Sequence, residues 1–180
     1  IQFKDYANWI ENRIDGDFGN RAKEFWGEKH LSEIEPIQLP TDKPRSDRNS
    51  FDGSFQHFSL STAFYESVES LARRHQTTVF NIYRSVVNLV LHKWTNQNKI
   101  VIGTPISGRS HGQLANQIGL YINTLPMVSE YNGSQTYSEY IDALTKDSFS
   151  TFSYQDYPLD RLIEENNIKR EPGRSPLFDV

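Results

Sequence analysis

The segment Val79–Trp94 constrains the fold more than any other part of the chain. It reads VFNIYRSVVNLVLHKW, and apolar residues fall on nearly every side of a helix drawn through it. The segment is too long for one strand, so it predicts a buried helix despite its β-branched residues. After a polar turn, the apolar run KIVIGTP at 99–105 predicts a strand. A buried helix that leads directly into a strand indicates an α/β fold.

Amphipathic helices are predicted on both sides of this unit. Apolar residues at helical spacing place helices at Phe3–Arg13 and Arg21–His30, and another one begins at Ser61 or Thr62. The pair Thr136 and Glu139 has the spacing of a capping box and predicts a further helix there. Proline suits the first turn of a helix, so the segment PLDRLIEEN at 158–166 predicts a short last helix.

Two more segments have the pattern of strands. Along Ser54–Leu60 an extended chain would place Phe55, His57 and Ser59 on one side and Gln56, Phe58 and Leu60 on the other, which predicts a strand, and the run IGLYINTLPMV at 118–128 predicts a second one. The arm at 34–50 contains three prolines, which exclude a long helix or a central strand, so we expect an extended surface connector. Together these elements predict a two-layer sandwich of helices against a mixed sheet.

Composition excludes several classes of function. The 180 residues fit one domain or part of a larger one, and the net charge of −4 makes a phosphate-tracking nucleic-acid binder a poor fit. No apolar run reaches membrane-spanning length. The chain has no cysteine, which fits a reducing compartment and predicts a cytoplasmic protein. It begins inside a helical pattern and ends where an apolar strand starts, so we expect a fragment cut at both ends.

No self-contained active site is visible in the sequence. The five histidines are all separated, none lies at metal-ligand spacing from another, and no GxSxG motif occurs. The glycines at 103, 108 and 112 fit neither dinucleotide nor P-loop spacing. We therefore assign no catalytic residue, no metal and no directly bound cofactor. His92 lies on the predicted buried helix, where a hydrogen-bonded structural histidine is expected.

Four segments, in order along nearly the whole chain, resemble signatures of one family. They are FKDYANW at 3–9, PTDKPR at 40–45, IGLYINTLPMV at 118–128, and YQDYPLD at 154–160 with REPGRSPLF at 170–178. These segments resemble the C-terminal part of a nonribosomal peptide synthetase condensation domain. The motif Asn123–Pro126, NTLP, favours an ordinary condensation domain over the epimerisation branch, and excludes the heterocyclisation branch less firmly.

The chain departs from the family pattern at four positions. Tyr154 stands where histidine or asparagine is usual, and Glu171 stands where aspartate is usual. Gly173 and Ser175 replace the common serine and asparagine. These changes weaken the last motifs without removing the resemblance.

The resemblance implies a fold and a reaction. Condensation domains are similar to chloramphenicol acetyltransferase, with two lobes around a reaction tunnel, and residues 1–180 would be the C-terminal lobe. Donor and acceptor peptidyl carrier proteins would present thioesters on phosphopantetheine arms, and an amide would form. An adenylation domain would share the polypeptide, in antibiotic or other secondary-metabolite biosynthesis. The family's catalytic HHxxxDG motif belongs to the N-terminal lobe and is absent from these residues, so the fragment alone should be inactive.

The resemblance also implies which residues line the tunnel. Asn123, Ser107, Arg109 and Tyr121 are the predicted substrate-binding residues, and Asn123 leads because its amide suits a thioester carbonyl or a pantetheine amide. Alternatively, Asn123 satisfies backbone groups at a strand bend, and Arg109 is a surface arginine. Asp156 is predicted to cap the helix that begins near Pro158.

Two alternatives and two physical expectations complete the prediction. A non-catalytic condensation-like domain would recruit carrier proteins or tailoring enzymes, and a free-standing acyltransferase of the same fold would use coenzyme A. An intact HHxxxDG upstream of Ile1 would favour the enzyme. Trp9, Trp26 and Trp94 are predicted to anchor the core. A lobe without its partner should expose apolar surface, including a strand edge at Leu177–Val180, and should either have low stability or self-associate.

Overall fold

The computed structural model describes residues 1–46 and 53–180 of the chain. Six α-helices and two strands follow one another through these residues, with two short 3₁₀ turns at Leu31–Glu33 and Gly112–Leu114. In chain order the elements are α1 (Phe3–Ile14), α2 (Asp17–Glu28), α3 (Thr62–Arg74), α4 (Val79–Thr95), β1 (Lys99–Ile106), β2 (Asn123–Glu130), α5 (Tyr137–Ser153) and α6 (Leu159–Glu165).

The two strands form an antiparallel ladder with helices on both of its faces. The register pairs Val101 with Val128, and both valines belong to a core cluster with Trp26 of α2. Ile100 points to the opposite face, where it packs with Leu91 of α4. The predicted α/β class is therefore confirmed, and the sheet formed by the described residues is a two-stranded antiparallel one.

The free edge of β1 is already in contact with the last residue of the chain. The backbone N–H of Gly103 donates to the carbonyl of Val180 at 2.8 Å. The ring of Phe178 covers Gly103 so closely that a Cβ there would lie 2.3 Å from Cε2 of the ring. The C-terminal residues therefore cover part of the open edge of β1.

Local signals at the helix ends are confirmed. Ser61 caps α3, with its Oγ accepting from the N–H of Phe64 at 3.2 Å. Thr136 and Glu139 form a complete capping box at the start of α5: each side chain accepts from the other residue's backbone N–H. These short-range patterns depend on neighbouring residues alone, which is why the sequence predicts them well.

The helix at 79–94 forms, but the prediction that it is buried all round is wrong. Its outward side carries a row of large apolar residues that are at least a third exposed: Phe80, Tyr83, Val86, Val87, Val90 and Trp94. The side packed inward carries polar residues, including Arg84, Ser85 and Asn88, each at most 4% exposed. Arg84 donates to the carbonyl of Leu144 and to the Oγ of Ser148, both on α5. The inner face is therefore held in part by hydrogen bonds, and an apolar face is left outward.

Ser54–Leu60 is not a strand in the structure. Phe55 and Phe58 are 88% and 83% exposed, and no backbone hydrogen bond pairs this segment with the rest of the described chain. Alternating residues predict a strand only where a ladder partner exists, and these residues have none here. The connector at 34–50 is extended up to residue 46, and its residues 47–50 lie outside the described part of the chain.

Only one of the three tryptophans anchors the core as predicted. Trp26 is 1% exposed and lies in the cluster beneath β1 and β2. Trp9 is 36% exposed and Trp94 is 66% exposed, so the prediction is wrong for both. Trp94 lies on the outward side of α4, and Trp9 lies against the ring of His111 with its centroid 5.2 Å away.

Candidate functional site

A cleft of about 380 Å³ lies between α1, the start of β2 and the loop that precedes α6. Its wall on the α1 side includes Tyr6 and Glu11, and its other walls come from two segments far apart in sequence. Those segments are 120–123, at the entry to β2, and 155–158, immediately before α6. The cleft therefore brings together parts of three of the four segments that resemble the family.

Asn123 is the first residue of β2, and its side chain is fully engaged with the loop. Its Nδ2 donates to the carbonyls of Gln155 and Tyr157 at 2.9 and 2.8 Å. Its Oδ1 accepts from the backbone N–H of Leu159, the first residue of α6, at 3.3 Å. Both amide hydrogens are thus donated to protein backbone, which matches the structural alternative stated for this residue. Donation from Nδ2 to a substrate carbonyl would need one of these two contacts to break, whereas Oδ1 accepts one hydrogen bond and can accept a second.

Asp156 does not cap α6, so that prediction is wrong. The helix begins after Pro158 without a side-chain cap from its own flanking residue, and Oδ1 of Asn123 meets its first N–H instead. The carboxylate of Asp156 lies 3.5 Å from the guanidinium of Arg13 in α1, and the Asp156 side chain is 10% exposed. The aspartate therefore joins the loop to α1 across the end of the cleft.

The carboxylate of Asp156 also affects the pKa of Tyr6. Burial raises the pKa of the Tyr6 phenol above its ordinary value, and the negative charge of Asp156 and the neighbouring Tyr121 raise it further. The hydroxyl of Tyr6 accordingly stays protonated and can donate a hydrogen bond throughout the neutral pH range. Arg13 carries only an ordinary helical pattern, so the sequence does not identify it as a site residue, whereas Tyr6 lies within the family-like segment FKDYANW.

Tyr121 is almost completely buried, and only a small part of its surface faces the cleft. It is 4% exposed and packs edge-on against Phe3 and Tyr6, with ring centroids 5.3 and 4.8 Å apart. Its hydroxyl is buried and has no hydrogen-bond partner among the described residues. The tyrosine therefore joins α1 to the entry of β2 mainly through aromatic packing.

Ser107, Gly108 and Arg109 form a tight turn that closes over Tyr121. Gly108 has a φ of +63°, and a Cβ there would lie 1.7 Å from the carbonyl oxygen of Tyr121. The guanidinium carbon of Arg109 lies 4.2 Å from the centre of the Tyr121 ring, and the guanidinium donates to the carbonyl of Leu114. The Oγ of Ser107 accepts from the N–H of Arg109 at 3.4 Å. Three of the predicted residues are thus brought together, and Asn123 lies two residues further on.

The segment before Asn123 does not belong to the strand that was predicted over 118–128. β2 begins at Asn123, and the backbone of 118–122 makes no hydrogen bond to the rest of the described chain. Ile118, Leu120 and Ile122 point outward and are 96%, 76% and 66% exposed. Tyr121 between them points inward, so the segment keeps the alternation of an extended chain without a ladder partner.

Besides the cleft, the potential metal ligands and the buried histidine bear on catalytic chemistry. No group of three or more potential metal ligands occurs within residues 1–46 and 53–180. His92 is 6% exposed, and its Nδ1 contacts the carbonyl of Gln97, while burial lowers its pKa. It is therefore the structural histidine that was predicted. No helix in this part of the chain is long and apolar enough to cross a membrane.

The fold is shared with solved nonribosomal peptide synthetase structures. It matches holo-AB3403, a four-domain nonribosomal peptide synthetase bound to AMP and glycine, with a TM-score of 0.81 and 27% identity over 90% of this chain and 12% of that one. It matches the X-domain in its complex with OxyB from teicoplanin biosynthesis with a TM-score of 0.91 over all of this chain and 41% of that one. The identity to the X-domain is 20%, so that likeness shows the fold alone. The class is the chloramphenicol acetyltransferase-like fold of condensation domains.

The sequence comparison defines the family. Gramicidin S synthase 2 of Aneurinibacillus migulanus is 34% identical over 180 residues, which are all of this chain and 4% of that protein. A sequence model of the family described as Condensation domain matches residues 1–180. The chain therefore belongs to the condensation-domain family, and it spans only a small part of the synthetases it matches.

Proposed function

We propose that this chain is the C-terminal part of a condensation domain in a nonribosomal peptide synthetase. The complete domain joins a donor and an acceptor, each held as a thioester on a carrier protein, through a new amide bond. The observation that carries this proposal is the family match over the whole of residues 1–180. The 34% identity to a peptide antibiotic synthetase along the full chain supports the same reading.

The role of these residues within the domain is to form one wall of the substrate tunnel. The cleft between α1 and the entry of β2 offers an apolar rim at Leu120 and Ile122 and polar groups at Tyr6 and Asp156. It holds no histidine. A wall of this kind can orient an acyl chain and exclude water, while the general base comes from elsewhere in the parent protein.

Several partners follow from this role. The N-terminal lobe of the same domain would supply the catalytic histidine motif, and two peptidyl carrier proteins would bring phosphopantetheine-bound substrates. An adenylation domain would load the carriers from the same polypeptide. Direct contact of Ser107, Arg109, Tyr121 and Asn123 with substrate stays a prediction, since their described contacts are with the protein itself.

The test is a reconstituted condensation assay with the parent synthetase. Donor and acceptor carrier proteins are loaded with aminoacyl thioesters, and the acceptor carrier is examined by mass spectrometry for the dipeptidyl product. We expect product with the intact protein and none when the histidines of its HHxxxDG motif are replaced by alanine. A parent protein that binds loaded carriers but never forms product would support the non-catalytic alternative. Transfer from coenzyme A thioesters without carriers would support the free-standing acyltransferase.

A further inference from the structure

One carboxamide anchors the loop that closes the cleft. Asn123 bonds to three backbone groups at every second position of this loop, namely the carbonyls of Gln155 and Tyr157 and the N–H of Leu159. All three partners are local to the loop and α6, whereas Asn123 belongs to β2. This side chain therefore ties the loop to the sheet, in addition to the burial of Tyr157 in the core cluster with Val101 and Val128. No other side chain of the described chain bonds to these three backbone groups.

The anchored loop carries the charge that reaches across the cleft. Asp156 lies between two of the anchored residues, and its carboxylate is 3.5 Å from the guanidinium of Arg13. That guanidinium also lies over the ring of Phe18, with 4.2 Å from its carbon to the ring centre. A continuous set of contacts thus runs from Asn123 through the loop and Asp156 to α1. The contacts join the two walls that face each other across the cleft.

We propose that Asn123 is a positioning residue for the condensation reaction, acting through the 155–159 loop and Asp156 to fix the width of the cleft. This inference rests on the proposed function, and it gives Asn123 an indirect role in place of a direct contact with substrate. A cleft of fixed width restricts an extended acyl chain to fewer poses before reaction. Misplacement of reacting groups by about 1 Å can cost about a hundredfold in rate, so such control affects catalysis.

A purely structural anchor is the competing explanation, and it makes different predictions. If Asn123 is only a structural anchor, its variants lose stability, but every correctly folded molecule keeps the full rate of amide formation. If Asn123 is a positioning residue, folded molecules of the variant form the amide slowly, and the environment of Asp156 and Tyr6 changes. The two explanations are therefore separated by measurements made on the folded fraction.

The first measurements use the complete condensation domain of the parent synthetase with Asn123→Ala, and with Asn116→Ala as the matched control. Asn116 is exposed and has no hydrogen bond in the described chain. We expect the Leu159 amide to exchange with solvent at least about tenfold faster in Asn123→Ala, because its acceptor is lost. We also expect the pKa of Tyr6 to fall, as seen by ¹³C NMR of labelled tyrosines and assigned with Tyr6→Phe, because Asp156 moves away. An unchanged Tyr6 pKa would overturn the link to Asp156.

The second measurement is single-turnover amide formation by the parent synthetase, with rates divided by the folded enzyme fraction. We expect Asn123→Ala to be slower by about tenfold to a hundredfold, and Asn116→Ala to match the wild type. Asp156→Asn should slow the reaction as well, and the double variant should be no slower than Asn123→Ala alone. Additive losses in the double variant, or a full rate in folded Asn123→Ala, would overturn the proposal.

A further variant covers the case in which Asn123→Ala does not fold in the parent. Asn123→Asp keeps the acceptor for Leu159 but directs a carboxylate at the carbonyls of Gln155 and Tyr157. We expect its rate, relative to that of the wild type, to rise as pH falls and the carboxyl becomes a donor. A relative rate that does not change with pH would contradict the positioning role. If the wild-type parent forms no amide at all, the proposed function fails, whereas the exchange and tyrosine data still test the anchor.

Discussion

The Oδ1 of Asn123 accepts a hydrogen bond from the backbone N–H of Leu159, and the two residues are 36 positions apart. The first N–H of a helix has no partner within that helix, so a side chain from a strand completes α6. The same carboxamide donates to two carbonyls of the loop before the helix. The side chain of Asn123 therefore joins the IGLYINTLPMV segment to the YQDYPLD segment.

This relationship predicts the relative cost of two substitutions. Asn123→Ala leaves the Leu159 N–H and two carbonyls without their partner, and should lower the free energy of unfolding by about 2 kcal/mol. Asp156→Ala removes an ion pair whose arginine is 37% exposed, and should cost less than about 1 kcal/mol. Urea denaturation of both variants beside Asn116→Ala measures the difference. If Asp156→Ala lost more unfolding free energy than Asn123→Ala, Asp156 would be the main stabilising residue at the start of α6, and this account would be wrong.

The turn at 107–109 predicts a strong effect at one glycine and little at another. Gly108→Ala requires a Cβ at positive φ within 1.7 Å of the Tyr121 carbonyl oxygen, so the turn must move. Gly112 has nothing within 4 Å of its would-be Cβ, which makes Gly112→Ala a matched control. We expect Gly108→Ala to lose about 2 kcal/mol or more of stability, and the control to stay within about 1 kcal/mol. Equal thermal midpoints for the two variants would contradict the described turn.

The capping box of α5 predicts that the stability of the protein depends on pH. Hydrogen bonds from the backbone N–H and hydroxyl of Thr136 lower the pKa of the Glu139 carboxyl below its ordinary value of 4.5. A lowered pKa means that this contribution to stability is present above pH 4.5 and is lost as pH falls through the folded-state pKa. Glu139→Gln lacks this contribution, so its thermal midpoint should approach that of the wild type in acid. A difference in thermal midpoint between wild type and Glu139→Gln that grows as the pH falls would contradict this prediction.

The outward side of α4 predicts association of the isolated chain. Val87 and Val90 are 43% and 42% exposed in a row of large apolar residues, and such a surface is unfavourable in water. We expect the wild-type chain to self-associate with rising concentration in sedimentation velocity. The double variant Val87→Glu with Val90→Glu should be more monomeric, whereas Lys169→Glu, which changes the net charge by the same amount at an exposed position away from α4, should not. A wild-type chain that is monomeric at every concentration would contradict the expectation.

Much of the fold is predictable from the sequence because its signals are local. Helix positions follow from apolar spacing, and the caps at Ser61 and Thr136 depend on residues three positions away. The burial of α4 is not predictable in this way, because an apolar pattern on all sides does not show which side packs. Arg84 and Asn88 are buried by partners on α5, more than fifty residues later in the chain.

The candidate site shows the same limit. The resemblance to the family singles out Asn123, Ser107, Arg109 and Tyr121, and the structure places them near one cleft. The hydrogen bonds of Asn123 reach residues more than thirty positions away, so no pattern along the chain shows that Asn123 is occupied by the 155–159 loop. The strand predictions at 54–60 and 118–122 fail for a related reason, since alternation does not supply a ladder partner.

The central claim is tested most directly by measuring amide formation between two carrier-bound thioesters. The assay uses mass spectrometry and compares the parent synthetase with the 180-residue chain in parallel. The claim is that these residues shape the tunnel of a condensation domain while the catalytic histidines belong to another part of the same protein. We expect the dipeptidyl thioester with the parent synthetase and only the background level with the isolated chain. Product formed by the isolated chain above that background would contradict the account.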